Sequence, residues 1–203
     1  MNSNRHDGPR SSFRRHCRVL HKSSVLTAED FLWNAACFGV IDRVKEFLVD
    51  PVVYLNQENR SHHGYTPLHI ASERGHAEVV RLLLRGLGVV VNIVSDGGDT
   101  PLLLACSHGH TQVVSELLRC PAVAAHAINF QGVSPLWAAA CNGHLEVVKL
   151  LLASRRPLAF QTRYLFDGTS AEEIAETLNR QEIHTLLVEM RRDPQETTTR
   201  VSG

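Results

Sequence analysis

No stretch of this 203-residue chain approaches the run of roughly 18 to 20 apolar residues that crosses a bilayer, and no apolar signal core follows Met1. An intracellular setting, cytoplasmic or nuclear, is therefore expected. Cysteine is sparse: Cys17, Cys37, Cys106, Cys120 and Cys141 are odd in number and form no CxxC pair. That excludes a disulfide framework or a zinc ribbon and fits reduced thiols. There is no phosphate-cradling GxxxxGK loop, no HExxH and no GxSxG elbow. No catalytic residue, cofactor or metal is expected, and the chain reads as a non-enzyme.

Net charge is also missing, with 21 Lys and Arg against 21 Asp and Glu, but the charges are unevenly placed. Residues 1–26 hold Arg5, Arg10, Arg14, Arg15, Arg18 and Lys22 against Asp7 alone, a net of +5, so the remainder sums to −5. A solvated, disordered basic tail preceding a mildly acidic body is expected, since this segment has few large apolar residues to bury.

What the chain does have is repetition. TPLHIASERGH at residues 66–76 returns as TPLLLACSHGH at 100–110 and as SPLWAAACNGH at 134–144. Aligning on glycine adds Gly39 before Gly75, Gly109 and Gly143, and Asn179, the other residue that readily turns left-handed, after them. Thr66, Thr100 and Ser134 are N-cap types, followed by Pro67, Pro101 and Pro135 where a missing amide donor does no harm. A short first helix starts there, with small residues such as Ala71, Ala105 and Ala139 permitting close approach, and the glycine ends it. His76, His110 or His144 opens a second helix. Its apolar stripe reads Val79, Val80, Leu82, Leu83, then Val113, Val114, Leu117, Leu118, then Val147, Val148, Leu150, Leu151. One helix pair cannot bury such a stripe, so the pairs must stack. Connectors such as RGLGVVVNIVSDGGD read as hairpin-like projecting fingers.

TPLHIASERGHAEVVRLLL, with Asn56 and Asn92 at the finger ends, resembles an ankyrin repeat. The resemblance implies an all-α, ankyrin-repeat solenoid of about five stacked helix pairs over residues 27–190. Degenerate copies at 27–60 and 163–190 read as caps, full repeats as 61–94, 95–128 and 129–162, and residues 191–203 as a second disordered tail. DFLWNAACFGVIDRVKEFL puts Asp30 and Phe31 where Thr and Pro stand elsewhere, and Glu173 and Glu176 make the last first-helix polar, as terminal copies facing water require. The family places a histidine like His69 to tie the finger turn to the helix. Trp33, Leu103 and Trp137 stand at the equivalent position, which no shared catalytic role would tolerate. Cys106, His108 and His110 resemble a partial metal site, yet His110 is the repeat's own histidine and Cys106 falls at a small core position. His62 and His63 read as a surface pair.

The resemblance further implies a concave binding surface made of finger tips and exposed first-helix positions. Residues that differ between copies are the candidates: Cys37, Phe38, Glu73, Arg74, Ser107, His108, Cys141 and Asn142 on helices, and His63, Tyr65, Asp96, Asp99, Phe130, Gln131 and Val133 on fingers. The last finger, SRRPLAFQTRYLFDG, lacks the Asn seen at Asn56, Asn92 and Asn129. It gathers Arg155, Arg156, Phe160, Arg163, Tyr164 and Phe166, either as a secondary patch or as rings folded back over the cap. The expected function is a monomeric module that binds a partner protein through the concave face. The alternative is a nucleic-acid-associated protein using the basic tail and the last finger, whose binding would weaken steeply with salt.

Overall fold

The computed structural model describes residues 28–49, 54–159 and 162–192. Among the described residues ten helices form five pairs: α1 (Ala28–Cys37) with α2 (Ile41–Val49), α3 (Pro67–Glu73) with α4 (Ala77–Leu84), α5 (Pro101–Ser107) with α6 (Thr111–Arg119), α7 (Pro135–Asn142) with α8 (Leu145–Ala153), and α9 (Ala171–Thr177) with α10 (Gln181–Arg192). First helices pack on first helices and second on second, so each pair is one unit of a continuous stack. The last helix continues through Arg192, into the segment expected to be tail.

Local chemistry sets the boundaries. The hydroxyls of Thr66, Thr100, Ser134 and Ser170 accept the amide N–H three residues on, and proline follows the first three. Of each second-helix stripe, Val79, Val80 and Leu83, then Val113, Val114 and Leu117, then Val147, Val148 and Leu151 are fully buried. Leu82, Leu118 and Leu150, expected in the same stripe, are half-buried because they lie at its edge. The fingers are tight turns with a single isolated bridge, Asn59 to Tyr65, and no strand among the described residues.

Successive units are held by polar ties that cross the seams. His76, His110 and His144 stand at helix N-caps but make no side-chain cap bond. Their rings instead reach the preceding unit, where Nε2 lies 3.0, 2.8 and 3.0 Å from the carbonyls of Cys37, Glu73 and Ser107. The ring of His144 lies so close to Gly109 that an added methyl would come within 2.5 Å of it, and Gly109 has φ +73°. Glycine is thus required twice over, by its backbone and by its neighbour.

A second tie starts at one equivalent position of the first helices, held by Trp33, His69, Leu103 and Trp137. Trp33 Nε1–H donates to the carbonyl of Tyr65 at 3.0 Å, and Trp137 Nε1–H to that of Thr169 at 3.2 Å. His69, fully buried, makes the equivalent bond to Asp99 at 2.9 Å. Its Nδ1 lies 3.2 Å from the Thr66 N–H, which can only donate, so Nδ1 accepts and Nε2 carries the proton. Leu103 has no donor and leaves this tie unmade in the third unit.

Burial pushes the His69 pKa down to about 4, against the raising effect of its hydrogen bonds to backbone. The unfolded chain takes up a proton near pH 6.5 that the folded ring refuses until about pH 4. The stabilisation is therefore complete above pH 6.5 and is lost as pH falls through that window, by roughly 3 kcal/mol. His69→Leu, which copies Leu103, should remove about that much of the difference in unfolding free energy between pH 7 and pH 4. An acid dependence unchanged by the substitution would contradict the assignment. Denaturant unfolding also tests the glycine argument. Gly109→Ala and Gly168→Ala both incur about 1–2 kcal/mol for left-handed backbone, but nothing lies within 4 Å of a methyl at Gly168. Gly109→Ala should lose a further 1–3 kcal/mol, roughly, to the His144 clash, and equal losses would refute it.

Candidate functional site

At the C-terminal end of the first helices, one position is exposed in every unit: Phe38, Arg74, His108, Asn142 and Leu178. Its neighbours Cys37, Glu73, Ser107 and Cys141 are half-buried. The Arg74 guanidinium lies 3.8 Å from the Glu73 carboxylate. His108 sets Nδ1 at 3.0 Å from the Leu104 carbonyl, and its ring stacks over His110 with centroids 6.0 Å apart. Asn142 Nδ2 donates to the Ser107 carbonyl at 3.0 Å, so this candidate also ties two units together. Burial pushes the thiols of Cys37 and Cys141 up, which keeps them protonated and poorly nucleophilic.

On the fingers the expected residues divide. His63, Asp96, Phe130 and Gln131 are exposed, but Tyr65 is buried and Asp99 and Val133 are half-buried. The latter three directly precede the N-caps, and their carbonyls close their own fingers by accepting from the N–H groups of Asn59, Ser95 and Asn129. Variability at this position thus marks interior packing: the Tyr65 ring stacks on His69 with centroids 5.5 Å apart. Burial, with the charges of Glu73 and Asp99, pushes its hydroxyl pKa up to about 12. Asp99 Oδ1 accepts from Asn129 Nδ2 at 2.8 Å.

The three asparagines do different work. Asn56 bridges the Gly88 carbonyl and Val90 N–H, and Asn92 the Ala122 carbonyl and Ala124 N–H, stitching one connector to the next. Asn129 instead accepts from Gln131 and Val133 within its own finger, as Ser95 does from Gly97 and Asp99.

The last finger does not form the expected secondary patch as a whole. Arg156 turns inward and donates to the carbonyls of Leu118, Cys120, Pro121 and Val123 at 2.8–3.1 Å, capping the end of α6. Arg163 pairs with Glu173 and donates to the Gly168 carbonyl. Tyr164 folds over Trp137 with centroids 4.8 Å apart. Arg155 and Phe166 remain exposed, Arg155 at φ +53°. Two of three arginines offered for nucleic acid are therefore engaged within the protein. Phe160, Cys17 and the tails 1–26 and 193–203 lie outside the described residues.

Leu178 and Leu165, exposed at 43% and 71%, belong to the same surface and escaped the sequence reading. Leu178 follows Asn142 by one repeat, and Leu165 follows Phe130, in a finger whose turn spans one residue more. Among the described residues no group of three or more His, Cys, Asp or Glu is placed to hold a metal ion, and no helix is long and apolar enough to cross a membrane.

Unfolding measurements separate the two adjacent arginines. Arg156→Ala should cost about 2–4 kcal/mol, because four carbonyls, most of them partly buried, lose a charged donor together. Arg155→Gly should stabilise by about 0.5–1 kcal/mol by relieving left-handed backbone. Similar effects at both positions would contradict these roles.

No relative among the curated proteins matches this chain. A family model described as ankyrin repeats matches in three copies, over residues 15–95, 32–130 and 85–160. The first copy begins inside the segment read as a tail. These matches span well over half of the chain and cover the first four helix pairs with their glycine turns and the histidine ring-to-carbonyl ties: the chain belongs to the ankyrin-repeat family, whose repeats generally mediate protein–protein interaction.

Proposed function

We propose that the chain is a non-enzymatic adaptor that holds a partner protein against the face made by the first-helix ends and the finger tips. One observation carries this reading. The residue at the end of each first helix is exposed in all five units and is chemically different in each: Phe38, Arg74, His108, Asn142, Leu178. The stacking contacts recur from unit to unit, whereas the residue type in this row does not.

The opposite face supports the same assignment by contrast. On the second helices charges neutralise one another one turn apart, Asp42 with Lys45, Arg43 with Glu46, Glu78 with Arg81, Glu116 with Arg119 and Glu146 with Lys149. Such exposed pairs are each worth well under about 1 kcal/mol and present little net charge to a partner. The first-helix row offers an aromatic, a guanidinium, an imidazole, an amide and a leucine instead. Hot spots at protein interfaces favour such aromatic and arginine anchors.

Capture of the partner from extracts of the native cell provides the test. The combined variant Arg74→Ala, His108→Ala and Leu178→Ala should weaken capture at least about tenfold, equivalent to about 1.4 kcal/mol. Exchanging Glu146 and Lys149, which keeps that surface pair, should leave capture unchanged. Full capture by the folded triple variant, or equal loss in the exchanged control, would move the interface elsewhere.

A further inference from the structure

Phe130, Leu165 and Phe166 are large apolar side chains exposed at 70%, 71% and 75%. Backbone hydrogen bonds between fingers set their tips side by side: the Phe130 N–H donates to the Gly97 carbonyl and the Leu165 N–H to that of Gln131, both at 3.1 Å. The Asp96 N–H makes the same bond to His63 at 2.9 Å. Asp96, Phe130 and Leu165 thus share one register on three successive fingers, one residue per tier.

Each of these three side chains lies across a glycine of the finger before it. An added methyl on Gly64 would come within 2.6 Å of Asp96, on Gly98 within 2.8 Å of Phe130, and on Gly132 within 3.0 Å of Leu165. Gly168 holds the same place in the last finger, two residues before the N-cap Ser170, and among the described residues nothing lies within 4 Å of a methyl there. The series ends on an uncovered glycine, in the finger that carries Leu165 and Phe166.

Charge on this strip is one-sided. Residues 95–99, 129–133 and 164–169 include Asp96, Asp99 and Asp167 and no lysine or arginine. Asp99 accepts from Asn129, and Asp167 from Thr169. The Asp96 side chain is exposed and enters none of the ion pairs among the described residues. Arg163, next to the last finger, is neutralised by Glu173. Such a surface repels the phosphates of a nucleic acid and attracts a cation at its Asp96 end.

Tier spacing sets the period of what fits. Packed helices stand about 8–10 Å apart. A polyproline II segment advances about 3.1 Å per residue with three residues per turn, so its every third side chain recurs on one face at about 9.3 Å. A β-strand repeats on one face every second residue, at roughly 6.6 Å, and falls out of step by the second finger.

We propose that the finger strip receives a polyproline II segment of the partner protein that carries two bulky apolar residues three apart and an arginine or lysine three further on. The first apolar side chain covers Gly168 beside Leu165 and Phe166, the second packs on Phe130, and the cation meets Asp96. This deepens the partner reading and rests on it, since it names the chemistry of the segment that the finger tips hold.

Selection from a random dodecapeptide library on the full chain provides the test. Enriched peptides should carry bulky apolar residues at i and i+3 with arginine or lysine at i+6, or the same order reversed. In fluorescence anisotropy an enriched peptide should bind about tenfold more weakly to Phe130→Ala/Leu165→Ala. It should bind about threefold more weakly to Asp96→Asn, and by the same factor when its own cation is replaced by glutamine. Gly168→Asn, whose side chain tolerates left-handed backbone and fills the uncovered place, should weaken it at least about threefold. No enrichment, an acidic or differently spaced consensus, or an affinity indifferent to these variants would overturn the proposal. So would a dimer of the chain itself that Phe130→Ala/Leu165→Ala dissolves. Partner capture keeps the two readings apart. If the Arg74, His108 and Leu178 variant loses capture, any of those outcomes removes only the chemistry assigned to the strip; full capture by that variant removes the partner row whatever the peptides show.

Discussion

A short helix ends in backbone carbonyls that its own turns cannot satisfy. In this protein the unit that follows supplies donors for them: imidazole N–H groups from His76, His110 and His144 reach the carbonyls of Cys37, Glu73 and Ser107. Each of the first three units is therefore complete only when its successor is in place. Apolar contact between stacked helices provides the larger share of the attraction, but it is non-directional. The ring-to-carbonyl bonds fix register and rotation, and with them the alignment of fingers and first-helix ends on which the candidate binding row depends.

Much of this was legible in the amino-acid sequence because it rests on side chains of restricted type. A hydroxyl at the cap, a proline after it, glycine at the turn and valine–leucine pairs at helical spacing have few substitutes, so their recurrence exposes the units directly. The candidate binding row was legible for the converse reason: Arg74, His108 and Asn142 break the recurrence. Legibility failed where the backbone does the work. Tyr65, Asp99 and Val133 vary freely because the array uses their carbonyls, and any residue supplies a carbonyl. Arg156 looked like a surface base for the same reason, since its four acceptors leave no trace in sequence. Leu165 was missed because the longer turn of the last finger shifts its register.

The histidines illustrate how position overrides residue type. His69 is sealed, neutral and committed to two backbone bonds, while His108 lies exposed on the variable row over the ring of His110. A reading by composition would pool them as one titrating population. Their surroundings assign one to the scaffold and leave the other at the surface a partner would touch.

The seam between the third and fourth units lacks two ties found elsewhere. Leu103 has no ring N–H to offer, and His126 stands where a third bridging asparagine would continue the series begun by Asn56 and Asn92. Across that same seam Arg156 makes its four bonds. The repeats look interchangeable in sequence, yet this pair is not: excising residues 129–162 would leave the Leu103 unit facing a neighbour without the arginine. The array is modular in its architecture and individual at its joints, so shortening or extending it requires matching neighbours rather than counting repeats.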